Sequence, residues 1–305
     1  CRFGPNASKV RISVGGEKYL QYVERDAFIK QEGTKEDIVA SAEPKFTAEQ
    51  DKERMREIGT RFEILDQMTK SLVKSDIRAL IVTGPPGVGK SFGVEEELNK
   101  SSLFGDMAGS KRKYEVVKGA MSPIGLYCKL YNYSSADNVL VFDDCDSILL
   151  DDLSLNILKA ALDSKKTRRI CWNTDSHMLR REGVPDTFEF AGSVIFITNI
   201  KFDNVKSKKL RDHLEALESR CHYIDLTIDT IREKILRIKQ IVTDGMLKNY
   251  MLPQETQDDI VAFIDEYKRQ LREISLRTVL KIADLAKAFP ENWKEMAKQT
   301  VLKPV

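Results

Sequence analysis

The sequence predicts an α/β fold: a parallel sheet flanked by helices, followed by an all-helical segment and preceded by a short β-rich leader. Three observations carry this expectation. Between residues 78 and 226, five short apolar runs alternate with helical patterns, and strands separated by crossover helices imply a parallel sheet covered on both faces. After Asp229 the strand signals stop and apolar residues recur at helical spacing. Inside the α/β stretch, the glycine-rich segment Gly84-Pro85-Pro86-Gly87-Val88-Gly89-Lys90-Ser91 follows an apolar run and opens a helical pattern. The expected division is a leader at 1–45, an α/β core at 46–227 and a helical lid at 228–305.

Each element has its own signal. Val10 to Val14 and Tyr19 to Val23 alternate apolar and polar residues around Gly15-Gly16, the pattern of a hairpin. A charged helix begins at Thr47, a suitable N-cap, and runs through Ile58-Gly59 to Phe62, Leu65, Met68 and Leu72, an apolar face at helical spacing. The core strands are expected at Ala79–Thr83, Tyr114–Lys118, Val139–Phe142, Ser193–Thr198 and Tyr223–Leu226. Helices are expected through Phe92–Leu98 and Leu153–Leu162, and an extra hairpin from Thr167–Trp172 and Phe188–Phe190, with Met178–Pro185 at its tip. Toward the C-terminus, Ile231, Ile235 and Ile238, then Ile260 and Phe263, then Leu276 to Phe289 read as successive helices punctuated by Pro253 and Pro290.

Composition narrows the function classes. The chain has 305 residues, with 49 Lys+Arg against 47 Asp+Glu and a formal net charge of +2. That length buries roughly three quarters of the unfolded surface, so no disulfide or metal staple is needed. Near-neutral charge excludes a histone-like nucleic-acid binder but leaves room for a local basic patch. No apolar run approaches the ~18 residues of a membrane helix, so no membrane partner is expected. Cys1, Cys128, Cys145, Cys171 and Cys221 are scattered, and His177, His213 and His222 stand at no metal-ligand spacing with them. Reduced thiols and a cytoplasmic location are expected. No signal-peptide pattern is visible, and the chain opens on Cys1 rather than Met, which leaves a preceding segment open.

Residues 84–91 complete the pattern G-x-x-x-x-G-K-[ST] in its required context of strand, loop and helix. Glycines at Gly84, Gly87 and Gly89 let backbone N–H groups turn inward around phosphate oxygens, and the following helix adds the positive end of its dipole. Lys90 would reach the β and γ phosphates of a nucleotide and the Ser91 hydroxyl would ligate Mg²⁺. Downstream, Val139-Leu140-Val141-Phe142 ends in Asp143-Asp144. A buried strand ending in acid brings a carboxylate to such a metal; Asp143 is the metal-side candidate, and Asp144 would polarise an attacking water as general base. A strand running into a solvated acidic turn is the plainer alternative for this pair.

With these motifs in order, the chain resembles the AAA+ ATPases from about residue 50 to residue 300. Ser193–Thr198 with Asn199 is similar to the family's sensor-1 strand, whose polar terminal residue touches the γ-phosphate and the attacking water. Ser219-Arg220-Cys221 resembles the arginine-finger segment, particularly that of clamp-loader subunits. Such an arginine acts on the neighbouring subunit's nucleotide and is worth on the order of 10³-fold or more. Ile274-Ser275-Leu276-Arg277 resembles the sensor-2 motif, and Ile58-Gly59 the pair that flanks the adenine. The resemblance implies ATP and Mg²⁺ as ligands, a homo-oligomeric ring (a hexamer or another ring) or open arc, and a macromolecular substrate, protein or DNA. Each arginine also reads as an ordinary solvated or ion-paired surface residue, and Arg211 is a weaker candidate for the finger. The compact unit with its N-terminal hairpin also resembles ATPases encoded by tailed phages.

Three features modify that picture. Most of the family has Glu where this chain has Asp144; Asp is one methylene shorter, and misplacement of about 1 Å costs on the order of 10²-fold. Slow turnover is expected, or a neighbouring acid such as Asp146 shares the task. The hairpin ahead of Asn199 resembles a pre-sensor-1 insertion, whose basic residues Lys165-Lys166, Arg168-Arg169 and Arg180-Arg181 face either a substrate or plain solvent. The stretch Lys118–Gly125 lacks the aromatic-apolar-Gly triplet of protein-threading members, and Tyr127, Tyr131 and Tyr133 read as packing residues. The rival reading is an ATP-dependent assembly switch that recruits a partner and hydrolyses slowly. A P-loop small-molecule kinase is disfavoured, since Arg220 and Arg277 would have no work there.

Overall fold

The five apolar runs of the α/β stretch form one parallel sheet because each is long enough to be a strand and the three central ones are buried on both faces. A computed structural model describes residues 2–3, 9–14, 17–22, 46–107 and 113–304. In it, β4 (Ala79–Thr83), β5 (Tyr114–Lys118), β6 (Val139–Asp143), β9 (Ser193–Thr198) and β10 (His222–Asp225) pair in the order β10-β4-β9-β6-β5. The three central strands β4, β9 and β6 are buried along their whole length, while β10 and β5 at the edges are not. Alternate residues serve opposite faces. Leu80, Val82, Val141 and Ile195 pack with Ile58, Leu65, Val94 and Leu98, whereas Ile81, Leu140, Phe142 and Phe196 pack with Leu126, Tyr127, Leu155 and Leu158. A sheet covered on both faces has no polar side to mark its period, which is why its strands read as unbroken apolar runs.

Two strands differ from expectation by one residue. β6 continues to Asp143, which pairs with Ile197, and β10 runs from His222 to Asp225 rather than from Tyr223 to Leu226. The helices covering the sheet are α1 (Ala48–Val73), α2 (Lys90–Met107), α3 (Pro123–Asn132), α4 (Asp146–Leu149) and α5 (Asp152–Ala161). The extra hairpin is present as β7 (Arg169–Cys171) antiparallel to β8 (Thr187–Glu189), and its tip holds a short helix α6 (His177–Glu182). It is anchored on the core: Ile170, Leu179, Val184, Phe188 and Phe190 are buried with Tyr127, and the Tyr127 hydroxyl donates to Pro185 O at 3.0 Å. Helix α7 (Lys208–Glu218) leads into β10.

The C-terminal segment is helical: α8 (Ile231–Thr243), α9 (Gln254–Glu266), α10 (Leu276–Ala288) and α11 (Trp293–Val301). Helix α11 has no counterpart in the sequence expectation; it follows Pro290 and buries Trp293, Ala297 and Val301. These helices share their own apolar cluster, from Ile238 to Leu302. The first of them is anchored twice, since Leu236 packs with the sheet cluster and Ile238 with the helical one.

The chain divides into two units, residues 1–48 and 49–305. In the first, β1 (Arg2–Phe3), β2 (Lys9–Val14) and β3 (Glu17–Tyr22) form an antiparallel sheet in that order, with Val14 paired to Glu17. The expected hairpin is therefore there, with β1 added at its edge. Gly15-Gly16 and Val23 lie outside the described residues. No helix among the described residues is long and apolar enough to cross a membrane.

One packing constraint is open to a direct test. Gly192 is buried where β8 gives way to β9, and a Cβ there would stand 2.3 Å from Tyr133 O. Gly192→Ala is expected to cost about 1–3 kcal/mol of unfolding free energy, the range for overpacking, measured by urea denaturation. An unchanged midpoint would mean that the Tyr133 turn yields without cost.

Candidate functional site

Parallel strands end along one edge of their sheet, so whatever follows β4, β6 and β9 meets there. Thr83 pairs with Thr198 and Asp143 with Ile197, which brings loop 84–91, Asp143-Asp144 and Asn199 together. Loop 84–91 has Gly84, Gly87 and Gly89 at positive φ. Gly87 shows why no side chain is tolerated: at φ 71° a Cβ would lie 2.6 Å from Ser275 Cβ. Pro85, Pro86 and Val88 fill the turns between, and the loop closes onto α2 at Lys90 and Ser91.

Lys90 organises the site. It is only 6% exposed, and its ammonium donates to Gly84 O at 2.7 Å, Pro85 O at 2.9 Å and Asn199 Oδ1 at 2.8 Å. The other end of the Asn199 amide donates to Asp144 Oδ1 at 2.9 Å. Ser91 Oγ donates to Asp143 Oδ1 at 2.9 Å, and Asp143 is 4% exposed. A hydroxyl and a buried carboxylate are both hard oxygen donors of the kind Mg²⁺ takes. Burial pulls the Lys90 pKa down to about 8, against the opposing pull of Asp144 and Asp143. Asp144 itself lies at the solvent-facing end of β6, yet desolvation of its carboxyl, with the Asp143 charge beside it, pushes its pKa up. Its backbone is left-handed at φ 52°, while its N–H keeps a bond to Ile197 O at 2.9 Å. A non-glycine residue held there costs of order 1 kcal/mol or more and persists only where its surroundings fix it.

Asp146 acts on Asp144 through its charge and is itself held at the end of β9. Its Oδ1 accepts from Thr198 Oγ1 at 2.6 Å, and the same Thr198 oxygen accepts from Ile200 N at 3.0 Å. Asp146 therefore ties the acidic loop to the end of β9.

The helical segment touches the loop directly. Leu276 N donates to Gly87 O at 2.8 Å, and Ser275, 4% exposed, caps α10. The next residue, Arg277, is exposed, and its charge acts on both Lys90 and Asp144. Ile58 and Gly59 are buried on α1, where a Cβ on Gly59 would meet Gln240 Nε2 of α8 at 2.5 Å. Arg220, by contrast, is exposed just after α7 and, among the described residues, bonds only to Ala216 O and to Ser219 Oγ of its own turn. It takes no part in the constellation around Lys90. Arg211 is also engaged locally, with Val205 O at 3.3 Å.

Three participants escape a reading of the sequence. Lys118 Nζ, at the end of β5, lies 3.4 Å from Asp143 Oδ2 and 2.7 Å from Glu95. Thr198 holds Asp146 as described. Arg237 of α8 is buried over the Phe62 ring, 3.4 Å from Cζ to centroid. Only Thr198 carries a legible signal, as the polar end of an apolar strand. The basic residues of the hairpin divide. Arg168 is buried, and donates to Ala161 O at 3.1 Å and Gly192 O at 3.0 Å, which makes it a structural residue rather than a substrate-facing one. Arg169 pairs with Glu189, Arg180 with Asp175 and Arg181 with Glu182.

No family model matches the chain. A relative, the uncharacterized 36.7 kDa protein in the nrdC–mobD intergenic region of Enterobacteria phage T4, is 36% identical over 244 residues, covering 79% of this chain and 73% of that protein. Among solved structures, the chain is similar to the Aeropyrum pernix ORC1 protein in complex with DNA, with a TM-score of 0.45, 13% identity, and coverage of 77% of this chain and 63% of that one. It is likewise similar to the replication initiator DnaA bound to AMPPCP and single-stranded DNA, with a TM-score of 0.42, 13% identity, and coverage of 78% and 63%. A third is NtrX from Brucella abortus in complex with ATP, with a TM-score of 0.43, 11% identity, and coverage of 85% and 56%. The chain spans less than two thirds of the length of each of these three solved chains.

The low Lys90 pKa has a pH signature. Between about 8 and the ordinary lysine value of 10.5, the unfolded chain holds a proton on Lys90 that the folded chain has lost. Stability therefore rises with pH across that window. Denaturant midpoints of the wild-type chain are expected to gain on those of Lys90→Met as pH is raised from 8 to 10. Parallel curves for the two proteins would contradict the assignment.

Proposed function

The chain belongs to the same family as the 36.7 kDa phage T4 protein, and we propose that it is an AAA+ ATPase that binds Mg-ATP on loop 84–91. The observation that carries this reading is the hydrogen-bonded chain from Lys90 through Asn199 to Asp144. It joins a phosphate-type loop, the end of the neighbouring strand and an acidic strand end in one line. The residues present fit the ligands. The loop excludes side chains where phosphates need backbone N–H groups, its lysine is buried and cationic below about pH 8, and Ser91 with Asp143 forms an oxygen pair suited to Mg²⁺.

Ser91 and Asp143 would hold the Mg²⁺, which would supply positive charge to offset the charge developing on the phosphates. Lys90 exchanges one or more of its three acceptors for phosphate oxygens, which in turn releases Asn199 Oδ1. Asn199 then orients the attacking water together with Asp144, whose raised pKa makes it a better proton acceptor. Arg277 brings a second positive charge from the helical side. Arg220 is free of this cluster and exposed, as a residue offered to another subunit must be. The assembly that follows is a homo-oligomeric ring or arc in the cytoplasm, with each site completed by a neighbour's Arg220. Hydrolysis moves a macromolecule, protein or DNA, by shifting the helical segment against the sheet.

A second reading rests on Asp144, whose short carboxylate is tied to the Asn199 amide: a slow assembly switch in which hydrolysis acts as a timer. ATPase rate measured against protein concentration separates the two. Steep activation on assembly supports the motor; a negligible rate with nucleotide-dependent partner binding supports the switch. Single-stranded or duplex DNA added to the assay tests the DNA branch, which predicts stimulation that weakens with salt.

Two variants test the site itself. Asp144→Glu is expected to raise single-turnover hydrolysis by about 10-fold or more, since the reach of the carboxylate is what limits it, whereas Asp144→Asn should abolish turnover. Near-normal hydrolysis by Asp144→Asn would remove Asp144 from the mechanism. Mixing Lys90→Ala with Arg220→Ala protein should restore some of the activity that neither variant has alone. Failure at every mixing ratio would restrict Arg220 to its own chain or to no role.

A further inference from the structure

Burying a charge is costly unless it is paired, so the buried charged residues of unit 49–305 can be asked in turn what pairs them. Asp143 has Ser91 and Lys118. Glu97 has Lys70 and Lys100. Glu233 has Arg54 and the capping box at Thr230. Arg168 has two backbone carbonyls at ordinary hydrogen-bond distance. Lys90 is satisfied by carbonyls and an amide and belongs to the phosphate loop.

Arg237 is the exception. It is 6% exposed, and its only hydrogen bonds among the described residues are to the neutral Gln240 Oε1 at 2.8 Å and to Val88 O at 3.5 Å, the outer limit for such a bond. The carboxylates that bear on it, Asp244 and Asp66, act through space, and burial pulls its pKa down to about 10. A guanidinium has five N–H donors in a planar fork. Here one face of the fork is covered by the Phe62 ring. Its Nη2 points toward the loop, 3.8 Å from where a Cβ on Gly89 would stand. Val88 and Gly89 directly precede Lys90, so a buried and under-compensated positive charge flanks the loop.

We infer that Arg237 is a second nucleotide-binding arginine, which contacts the phosphate chain of a nucleotide held on loop 84–91. The proposal rests on the ATP-binding reading above. It gives the helical segment a pair of cations with different work: Arg277, exposed, near Lys90 and Asp144, and Arg237, buried, at Val88-Gly89. Phe62 and Gln240 act as positioning residues, one stacking on the guanidinium and the other holding Nη1. A planar fork suits a phosphate, which accepts two parallel N–H bonds.

The test is ADP binding by calorimetry on the full chain, with the melting temperature of the nucleotide-free protein recorded in parallel. Arg237→Met keeps the bulk and the contact with Phe62 and removes the charge. Its affinity for ADP is expected to fall by about 10-fold or more, the usual worth of a charge-assisted hydrogen bond, while its nucleotide-free melting temperature stays level or rises. Arg237→Lys should recover some of the affinity. A merely structural arginine gives another result, a lower melting temperature without nucleotide, and that result overturns the proposal. So does an ADP affinity within threefold of wild type. If wild-type protein binds no ADP, the ATPase reading falls first and this inference with it; binding by wild type with no change in Arg237→Met removes the inference alone.

Discussion

The structure around the site depends on one requirement, that the ammonium of Lys90 be satisfied without water. Its three N–H donors are met by Gly84 O, Pro85 O and Asn199 Oδ1, and each acceptor fixes something larger. The two carbonyls set the curvature of the loop, because both must point inward at one nitrogen. The asparagine sets the spacing between the loop and the end of β9, and through its other atom holds the Asp144 carboxyl. None of this is possible unless β4 and β9 are neighbours in register, Thr83 beside Thr198. The sheet order thus matters to the site through a single buried cation.

That cation also explains the chemistry expected of the acids. Asp143 and Asp144 are adjacent in sequence, so without a positive charge nearby they would repel each other at close range. Lys90, Lys118 and Arg277 surround them, and the two acids then take different environments: Asp143 buried with Ser91 and Lys118, Asp144 at the rim with Asn199. Two like groups held apart in this way can take different roles, one for a metal and one for a proton. The left-handed backbone at Asp144 is what turns its side chain out of the strand alternation and toward Asn199.

Much of this is legible in the sequence for a physical reason. Buried parallel strands are continuous apolar runs, and each of the five expected from such runs lies within one residue of its observed limits. The loop and the acid pair are legible because their chemistry needs fixed residue types at fixed spacing. Arg237 is not. It stands among Arg232, Glu233, Lys234 and Lys239, where a charged helical stretch reads as solvent-facing. The apolar spacing of Ile231, Ile235 and Ile238 draws attention to another face, on which Ile238 packs with the other helices. Arg237 meets the loop from a face it shares with Glu233 and Gln240, which has no apolar period to reveal it. Arg168 misleads in the same way: its place in a basic run gives no hint of the two carbonyls that bury it. Helix α11 escapes notice because Pro290 reads as an ending, although the chain resumes its helical packing three residues later.

The contact between loop and helical segment has a mechanical consequence. Leu276 N is bonded to Gly87 O, and Ser275 packs where Gly87 has no side chain. On α8, Leu236 is fixed in the sheet cluster while Ile238, two residues on, belongs to the helical cluster. A change in the path of loop 84–91 must therefore move Leu276 and the start of α10, and it must do so against a pivot that α8 supplies. Packed interiors switch between arrangements and do not deform smoothly. On the proposed reading, rearrangement of the three bonds at Lys90 would reach the helical segment through these contacts. The helical segment meets loop 84–91 at Leu276 N on Gly87 O, at Ser275 beside Gly87 and at Arg237 on Val88 O, and these are the contacts through which the two can be coupled.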